Sequence, residues 1–469
     1  MLFSITSLPP LLIDLWYQEG TGYAFLDSYA TLLITGLVMW LPVRNEKQDL
    51  RLRDGFLVVV LFWFVLGVSG ALPFILYEPL DISVADAVFE SISGLTTTGA
   101  TVLTGLENLP HSILFYRHEL QWLGGMGIIV LAVAILPMLG IGGMQLYRAE
   151  APGPVKDNKL TPRITETAKA LWYIYLSLTI ACALSYWFAG MGAFDAIAHS
   201  FSTVAIGGFS THDASIGFYD SVWVEATAMV FMLLGGVNFA LHFMVFRRWN
   251  FKIYSSDAEF VTYIRVLFLV AIICVSYLYY NHTYGDLASA LRQGVFHAIS
   301  IGTTTGFTMS EFYLWPGFLP VLLLFSSFIG GCAGSTGGGM KVIRVLLLLK
   351  QGMRELMRLV HPSAQVVVKI GNKPVSDSVM DAVWGFFAAY VGVFVIMMLL
   401  LMASGIDQVT SFSAVAATMN NLGPGLGDVG ANYAGINDFA KWVLCVCMLM
   451  GRLEIFTLLV LFTPAFWRK

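Results

Sequence analysis

Nine apolar runs of roughly 20 residues, the length that an α-helix needs to cross the hydrocarbon core of a bilayer, constrain this chain most. They lie near residues 25–42, 56–77, 120–140, 170–190, 222–246, 262–280, 316–348 (with an interruption), 380–403 and 438–464. Only 12% of the residues are charged and 57% are apolar, too few charges to cover the surface of a soluble protein. The sequence therefore predicts an all-α membrane protein. Residues 1–18 predict only a partial span, because they contain Pro9, Pro10 and Asp14.

The basic residues predict the orientation of the chain. They cluster in alternate loops: Arg44, Lys47, Arg51 and Arg53; Arg148, Lys156, Lys159, Arg163 and Lys169; Arg247, Arg248 and Lys252; seven between Lys341 and Lys373; and Arg468 with Lys469. These are 21 of the 26 Lys and Arg residues, and by the positive-inside rule they mark the cytoplasmic side. The intervening loops carry mainly acids. We therefore expect a multi-pass protein with a cytoplasmic C-terminus.

Four polar windows recur between the apolar runs, roughly a hundred residues apart. They read ESISGLTTTGAT at 90–101 (window 1), HSFSTVAIGGFS at 199–210 (window 2), HAISIGTTTGFT at 297–308 (window 3) and AVAATMNNLGPG at 414–425 (window 4). The tenth column of each is a glycine: Gly99, Gly208, Gly306 and Gly423. Each window follows a long span, an acidic outer loop and a segment of about ten apolar residues, which cannot cross a bilayer. The sequence predicts four units of span, re-entrant half-span, glycine-centred loop and span.

Irregular backbone at membrane depth must be buried in protein or line a water-filled path, because lipid cannot satisfy its amide groups. Four such loops about a pseudo-fourfold axis would ring one hole with backbone carbonyls and Thr hydroxyls, and carbonyl rings replace the hydration shell of a monovalent cation. Glycine permits the positive φ angles that aim carbonyls at the hole. The alternative is loops that only pack helices together. The candidate ion-binding residues are Thr97, Thr98, Gly99, Ile206, Gly207, Gly208, Thr304, Thr305, Gly306, Asn421, Leu422 and Gly423.

The segment GGCAGSTGGG at 330–339 interrupts the run from 316 to 348. It is not a phosphate-binding loop, because Val342 rather than Ser or Thr follows Lys341 and no strand precedes it. Its place just after the third window predicts unwound backbone under a filter, with a packing kink as the alternative. The candidate gate residues are Gly330, Gly331, Gly334, Ser335, Thr336, Gly337, Gly338 and Gly339, together with Arg452.

Arg452 lies within the last apolar run, where a charge is costly unless it faces water or a partner. It is sixteen residues from Arg468, too far along a helix to reach the inner surface. We interpret it as a fixed positive charge at the pore. The alternative is a salt bridge to Glu454 or another acid, although residues two apart lie on different faces of a helix.

Six stretches resemble the TrkH/TrkI family of Trk-type bacterial potassium uptake subunits, from about residue 20 to the C-terminus. They are SGLTTTGATVL, STVAIGGFSTHDASIG, TTTGFT, NNLGPGLG, FIGGCAGSTGGGMKVIR and GRLEIFTLLVLFTPAFW. The resemblance implies four M1–P–M2 units of potassium-channel type around a pseudo-fourfold pore, after one or two extra N-terminal helices. Residues 1–18 are a shortened counterpart of the first. The implied parts are 1–50 (extra helices), 51–147, 148–250, 251–360 and 361–469 (repeats 1 to 4).

The resemblance also implies potassium uptake across the bacterial inner membrane, with potassium as substrate and no organic cofactor on this chain. It implies a homodimer, a cytosolic nucleotide-binding regulatory subunit of TrkA type, and an intramembrane gating loop at 330–339. The basic loops at 148–169 and 341–373 are candidate docking faces for such a partner or for anionic lipid. We expect membrane lipid as a further partner, and we expect no nucleic-acid partner.

Two other function classes are weaker. A proton- or sodium-coupled carrier, the alternative reading, would need acids buried at mid-membrane and repeats of opposite orientation, whereas these repeats are parallel and their acids are expected in outer loops. An enzyme would need a nucleophile with its base or clustered ligands, and neither appears. His199 and His297 are expected to hydrogen-bond on the half-helices. The five cysteines lie in apolar segments and are expected to be packing residues: Cys182, Cys274, Cys332, Cys445 and Cys447.

Overall fold

The computed structural model describes residues 1–45, 52–130, 164–371 and 373–468. Within these ranges the protein is helical apart from connecting segments and one small hairpin, in which Lys369–Ile370 (β1) pairs antiparallel with Lys373–Pro374 (β2). Lys369 lies opposite Pro374, and Ile370 lies opposite Lys373. Outside the described residues lie the predicted boundaries near residues 50 and 147, and seven of the cytoplasmic markers: Lys47, Arg51, Arg148, Lys156, Lys159, Arg163 and Lys469.

Twenty α-helices are described. In chain order they are α1 (Leu8–Tyr17), α2 (Gly22–Trp40), α3 (Leu52–Ser69), α4 (Leu72–Leu76), α5 (Val84–Leu95), α6 (His111–Val130), α7 (Ile164–Phe188), α8 (Ala193–Ala205), α9 (Val222–Gly235), α10 (Phe239–Arg248), α11 (Lys252–Ser256), α12 (Ala258–Tyr280), α13 (Leu287–Gly302), α14 (Leu319–Ile329), α15 (Val342–Val360), α16 (Asp377–Ala403), α17 (Gln408–Met419), α18 (Asp438–Arg452), α19 (Phe456–Leu459) and α20 (Pro464–Trp467). Short 3₁₀ segments lie at Leu2–Ser7, Leu41–Val43, Glu78–Leu80, Leu106–Asn108, Ser215–Tyr219, Phe312–Leu314, Gly427–Val429 and Val460–Phe462.

Two helical segments precede the repeats. The 3₁₀ turn Leu2–Ser7 runs directly into α1, and both prolines lie in the first turn of α1, where a missing N–H costs little. The Asp14 carboxylate closes the turn to α2, because it accepts hydrogen bonds from the Thr21 backbone N–H and hydroxyl, each at 2.8 Å. The features that weakened the prediction for residues 1–18 are therefore accommodated, and the chain has two extra helices, the first shorter than a span.

The prediction of four units is confirmed. Each unit has a long first helix, a half-helix, a window and a second helix. The half-helices α5, α8, α13 and α17 contain 12, 13, 16 and 12 residues, so none reaches the roughly 20 residues of a span. Five described helices are long and apolar enough to cross a membrane, or up to seven if two bent pairs are counted as single spans.

The acids predicted in the outer loops cap the half-helices. Asp286 and Asp407 are the N-cap residues of α13 and α17, and Asp86 forms a capping box with Ser83 at the start of α5. Asp195 lies in the first turn of α8. Every half-helix therefore begins with a carboxylate and ends at its window, and the negative end of each helix dipole faces the window.

The second helices of units two and four are broken, which corrects the prediction of continuous spans at 222–246 and 438–464. The axes of α9 and α10 differ by 97°, and α18 differs by 110° from the segment Phe456–Phe462. In unit two, Gly235 and Gly236 end one helix, and Asn238 starts the next by accepting a hydrogen bond from the Ala240 N–H at 2.8 Å. The Gly-Gly-Val-Asn sequence carried this signal, because Asn is a strong N-cap residue.

The corresponding helix of unit three is interrupted as predicted. α14 ends at Ile329, α15 begins at Val342, and residues 330–341 between them form an irregular segment that we call the intramembrane loop. The largest buried apolar cluster surrounds α5 and α17, and a second one surrounds α8. The half-helices therefore lie inside the protein, with the long first helices outside them.

Candidate functional site

The four windows meet in one closed ring of backbone. In each window, the carbonyl oxygen before the tenth-column glycine lies against the glycine of a neighbouring window. A Cβ atom on the glycine would come within 3.0 Å of that oxygen in all four contacts: Gly99 with Gly207, Gly208 with Thr305, Gly306 with Leu422, and Gly423 with Thr98. These contacts run from window 1 to 2, 3, 4 and back to 1. We call this the carbonyl ring, and it leaves no room for a side chain at its glycines.

The windows also share one backbone path. The ring glycines have φ between 75° and 96°, and the residue two positions earlier is left-handed in every window although it is not glycine. Those residues are Thr97 (φ 53°), Ile206 (φ 55°), Thr304 (φ 68°) and Asn421 (φ 51°). Left-handed backbone is unfavourable for β-branched side chains, so the surrounding fold must hold them there. The sequence carried no signal for this second left-handed position.

Each window is held by its own half-helix. The N–H before the ring glycine donates to the carbonyl five residues earlier in every window. The four bonds are Thr98 to Ser93 (2.8 Å), Gly207 to Ser202 (2.8 Å), Thr305 to Ser300 (2.8 Å) and Leu422 to Ala417 (2.7 Å). The structure therefore brings all twelve candidate ion-binding residues to the C-terminal ends of the four half-helices, with one repeated geometry.

Four Thr hydroxyls in windows 1 and 3 hydrogen-bond in pairs next to the ring. Thr96 and Thr98 share a hydrogen bond of 2.8 Å, and Thr303 and Thr305 share one of 2.7 Å. The Asn421 amide donates to the Thr98 hydroxyl at 3.0 Å and so joins window 4 to window 1.

The first-column residues of windows 1, 2 and 3 hydrogen-bond to the segments that leave the windows. Glu90 accepts from the Val102 N–H at 2.9 Å, and His199 Nε2 lies 3.0 Å from the Ser210 hydroxyl. His297 Nε2 accepts from the Met309 N–H at 3.3 Å. The Nδ1 atoms of His199 and His297 each lie 2.9 Å from a carbonyl of their own half-helix, that of Asp195 and Gln293 respectively, which confirms the expectation that both histidines hydrogen-bond on the half-helices.

Glu90 also forms a buried ion pair that sequence reasoning missed. Arg117 Nε donates to Glu90 Oε1 at 2.7 Å, and Arg117 Nη1 reaches the Ser210 carbonyl at 3.2 Å, so the pair ties window 1 to window 2. Both side chains are almost completely buried. The expectation that acids lie only in outer loops is wrong, because several glutamates are buried in helices: Glu90, Glu119, Glu225 and Glu259.

A cavity of about 520 Å³ opens against the carbonyl ring. Its lining includes the four ring glycines and the loops that follow the windows, with Asp213 and Glu311 among the charged residues. Arg117 also lines the cavity, but its charge is paired with Glu90, so Asp213 and Glu311 leave the mouth negative, which raises the local concentration of cations.

The intramembrane loop lies directly against the half-helix ends. The Gly338 N–H donates to the Thr304 hydroxyl at 2.7 Å, and the Gly339 N–H donates to the Asn420 carbonyl at 3.0 Å. The Thr336 hydroxyl donates to the Val204 carbonyl at 2.9 Å. The loop therefore touches windows 2, 3 and 4, and the structure brings the candidate gate residues together beside the ring.

Other elements hold the far side of the loop. Glu259 at the start of α12 accepts from the Ala333 N–H at 2.7 Å, and the Gly236 carbonyl accepts from the Cys332 N–H at 2.8 Å. The Lys341 ammonium donates to the Gly337 carbonyl within the loop. Glu259 was not singled out from the sequence, and Lys341 was counted there among the cytoplasmic basic residues and not as a contact of the loop.

Arg452 is buried and binds backbone carbonyls. Its Nη1 donates to the Thr336 carbonyl of the intramembrane loop at 3.0 Å, and its Nη2 donates to the Gly124 carbonyl of α6 at 3.1 Å. The alternative pairing with Glu454 is not formed, because the Glu454 carboxylate binds Arg344 at 2.6 Å. Arg452 therefore joins units one and four to the loop.

Gln121 on α6 is a further residue that sequence reasoning missed. Its side chain is completely buried and hydrogen-bonds to Gly207 and Phe209 on either side of the ring glycine Gly208.

Among the described residues, no group of three or more His, Cys, Asp or Glu side chains is arranged to hold a metal ion. All five cysteines are buried and free, as expected.

The chain is similar to known cation transport proteins over almost its whole length. The chain matches the family described as TrkH, cation transport protein, over residues 21–469. It is 61% identical to the Trk system potassium uptake protein TrkH of Vibrio parahaemolyticus, covering 100% of this chain and 97% of that protein. It is 57% identical to TrkH of Escherichia coli, covering 100% and 97%, and 42% identical to TrkG of Escherichia coli, covering 100% and 96%. The fold is similar to the crystal structure of the potassium transporter TrkH from Vibrio parahaemolyticus, with a TM-score of 0.92 at 58% identity over 100% of this chain and 97% of that one.

Proposed function

The chain belongs to the TrkH family of cation transport proteins, and from that premise we propose that it takes up potassium ions through the carbonyl ring. Relatives that match it over their whole length are potassium uptake proteins by name. Potassium is then the substrate of a transporter, and the reaction needs no nucleophile or general base.

The carbonyl ring is the observation that carries this proposal. A cation that leaves water needs oxygen ligands in place of its hydration shell, and closely spaced carbonyls supply them. The oxygens of Thr98, Gly207, Thr305 and Leu422 belong to four chain segments that meet around one centre. Four half-helices end at the same place, so their negative dipole ends also favour a cation there.

The intramembrane loop and Arg452 form the proposed gate. The loop lies against three of the four windows, and Arg452 adds a positive charge next to it. Like charges repel strongly where the dielectric constant is low, so Arg452 raises the barrier for a potassium ion in transit. Displacement of the loop and Arg452 together would open the path on that side of the ring.

Regulation and assembly extend the proposal. The protein is a homodimer in the inner membrane with its C-terminus in the cytoplasm, and a cytosolic nucleotide-binding subunit controls the loop. α15 supports this role, because it follows the loop directly and carries Lys350, Arg354 and Arg358 beside exposed Met353 and Met357. A helix with this composition can bind either a protein partner or anionic lipid.

A flux measurement tests the proposed function. The purified chain is placed in liposomes, and the gradients of potassium, sodium and protons are set separately. We expect potassium flux to follow the potassium gradient and membrane voltage alone. A flux that requires a proton or sodium gradient would instead support the coupled carrier, the alternative reading of the sequence.

A further inference from the structure

Window 2 differs from the others at the position that supplies the ring carbonyl. Windows 1, 3 and 4 have Thr98, Thr305 and Leu422 there, whereas window 2 has Gly207. Gly207 is not among the glycines with positive φ, so backbone conformation does not require glycine at this position. The requirement is spatial, because a Cβ on Gly207 would lie less than 3.0 Å from three side-chain atoms of Gln121.

Gln121 fills the missing side-chain space and bonds the window on both sides of Gly208. Its Nε2 donates to the Gly207 carbonyl at 2.6 Å, and its Oε1 accepts from the Phe209 N–H at 3.2 Å. These partners fix the orientation of the amide, because an N–H needs an acceptor and a carbonyl needs a donor. Within the described residues, the other three ring carbonyls accept no hydrogen bond. Gly207 therefore carries the one ring oxygen whose direction is set by a side chain.

The second helices of units one, two and four share a register that makes Gln121 distinctive. In each of them a glycine lies so close to the sixth-column carbonyl of its own window that a Cβ would have little or no room: Gly124 against Leu95, Gly235 against Val204 and Gly451 against Met419. The position three residues before that glycine is Gln121 in unit one, Met232 in unit two and Met448 in unit four. The long side chain of Gln121 thus lies against window 2, the one window with glycine at the ring-carbonyl position. Gln121 and Gly207 are therefore complementary in size.

We propose that Gln121 is a positioning residue for ion selection, one that holds the Gly207 carbonyl of window 2 in place. A carbonyl oxygen has two lone pairs, so it can accept from Gln121 and still bind a cation. The inference rests on the proposed function, because it assigns the selectivity of the carbonyl ring in part to this amide. Gln121 itself does not touch the ion.

Three variants test the proposal. Gln121→Met has similar volume, matches units two and four, and removes both hydrogen bonds. Gly207→Thr alone introduces a collision with Gln121. The double variant Gln121→Ala with Gly207→Thr rebuilds the arrangement of windows 1 and 3. Gln408→Ala, at the exposed start of α17, is the matched control.

The assay is potassium uptake and its inhibition by sodium, in a bacterial strain without its own potassium uptake systems, normalised to folded protein in the membrane. We expect Gln121→Met and Gly207→Thr each to lower the preference for potassium over sodium by about tenfold, because each variant removes or displaces the hydrogen bond that holds the Gly207 carbonyl. The double variant should recover most of that preference, and Gln408→Ala should match the unaltered protein.

An unchanged ion preference in Gln121→Met, or a double variant no better than Gly207→Thr alone, would overturn the inference. A change in protein amount without a change in preference would also count against it, since that is the signature of a purely structural role. If Gln121→Met does not reach the membrane, Gln121→Leu also fills the space with an apolar side chain, removes both hydrogen bonds without adding a charge or a donor, and gives the same measurement. Gly306→Ser in the same assay separates the two proposals: if it lowers the preference while Gln121→Met does not, only the role of Gln121 fails.

Discussion

The four windows and the intramembrane loop are both irregular backbone inside the membrane domain, yet they are held in different ways. Each window bonds back to its own half-helix, as in the bond from the Thr305 N–H to the Ser300 carbonyl at 2.8 Å. The loop bonds mainly to other elements, such as Glu259 on α12 and the Asn420 carbonyl of window 4. The bond to its own half-helix is therefore common to every window, and contacts from other units, such as that of Gln121 with Gly207, add to it. The loop has no half-helix of its own and depends on partners in all of the surrounding segments named above.

Under the proposed function, the carbonyl ring is the rigid part and the intramembrane loop is the part that moves. The hydrogen-bond partners of the loop lie on other helices and windows. When those elements shift, the polar groups of the loop can bind water in place of their protein partners, because the loop lies beside the proposed ion path, which contains water. The windows cannot exchange partners without unwinding a half-helix. The carbonyl ring is thus suited to fixed ion selection, and the intramembrane loop is suited to gating.

The largest expected effect comes from a side chain in the carbonyl ring. Gly306→Ser would place a Cβ against the Leu422 carbonyl at a residue whose φ is 85°. The strain and overpacking predict a loss of potassium uptake on the order of a hundredfold, with relatively more sodium admitted. Uptake and ion competition are measured per folded molecule.

Matched glycine variants sharpen this prediction. Gly392→Ser lies on α16, where nothing lies within 4 Å of a Cβ, and should leave uptake unchanged. Gly99→Ser should behave like Gly306→Ser. Gly423→Ser should be milder, because a Cβ there would lie 2.7 Å from the Thr98 carbonyl oxygen, farther than in the corresponding contacts at Gly99 and Gly306. Normal ion competition in all three ring variants would remove the assignment of the ring as a filter.

Displacing the intramembrane loop should give the next largest effect, in the opposite direction. A Cβ on Gly338 would collide with the Asn420 carbonyl, so Gly338→Ala should push the loop off the windows. We expect potassium flux to rise by about tenfold, the change that a loss of about 1.4 kcal/mol produces, and to depend less on any cytosolic partner. Deletion of residues 330–339 should do the same.

The control for the loop is Gly352→Ala on α15, where nothing lies within 4 Å of a Cβ. It should leave flux unchanged. Flux that falls in Gly338→Ala while the protein remains folded would argue that the loop is a packing kink and not a gate.

Arg452→Ala should raise flux less, by about fivefold, because it removes the charge and one of the loop's contacts but leaves the loop's other hydrogen bonds. Arg452→Lys keeps the positive charge and should stay close to the unaltered protein. The effect should be the same for flux in both directions. If Arg452→Ala lowers thermal stability in detergent without raising flux per folded molecule, the residue serves the structure alone.

The smallest effect is expected at Glu259. Glu259→Ala removes the acceptor for the Ala333 N–H and should raise flux by about two- to threefold, since one loop contact is lost among several. Glu259→Gln retains an acceptor oxygen and should behave like the unaltered protein. Equal flux in Glu259→Ala and Glu259→Gln would show that this contact does not hold the loop.

Much of the fold was readable from the sequence, because length and periodic repetition encode it. The apolar runs and the ring glycines predicted four units, and the glycine-rich segment 330–339 predicted the break in unit three. The bends after Gly235 and Arg452 were not predicted, since apolar composition alone does not distinguish a straight span from a broken one. In unit four no glycine pair or N-cap residue marks the break.

The site was less readable, because its details depend on contacts between distant segments. Thr97 and Ile206 look like ordinary residues, and only the assembled ring places them in left-handed backbone. Gln121 lies 86 residues before Gly207, and a single glutamine in an apolar helix does not reveal its partner. Glu90 and Arg117 lie on different helices with a loop between them, so the sequence did not reveal their ion pair. The one available signal was that Glu90 occupies the same window column as His199 and His297.

Locating a bound ion tests the central claim most directly. A crystal structure of the protein with rubidium or thallium in place of potassium would show the ion by its anomalous scattering. We expect a peak at the centre of the carbonyl ring, coordinated by the oxygens of Thr98, Gly207, Thr305 and Leu422. A peak elsewhere in the protein, with none at the ring, would contradict the central claim.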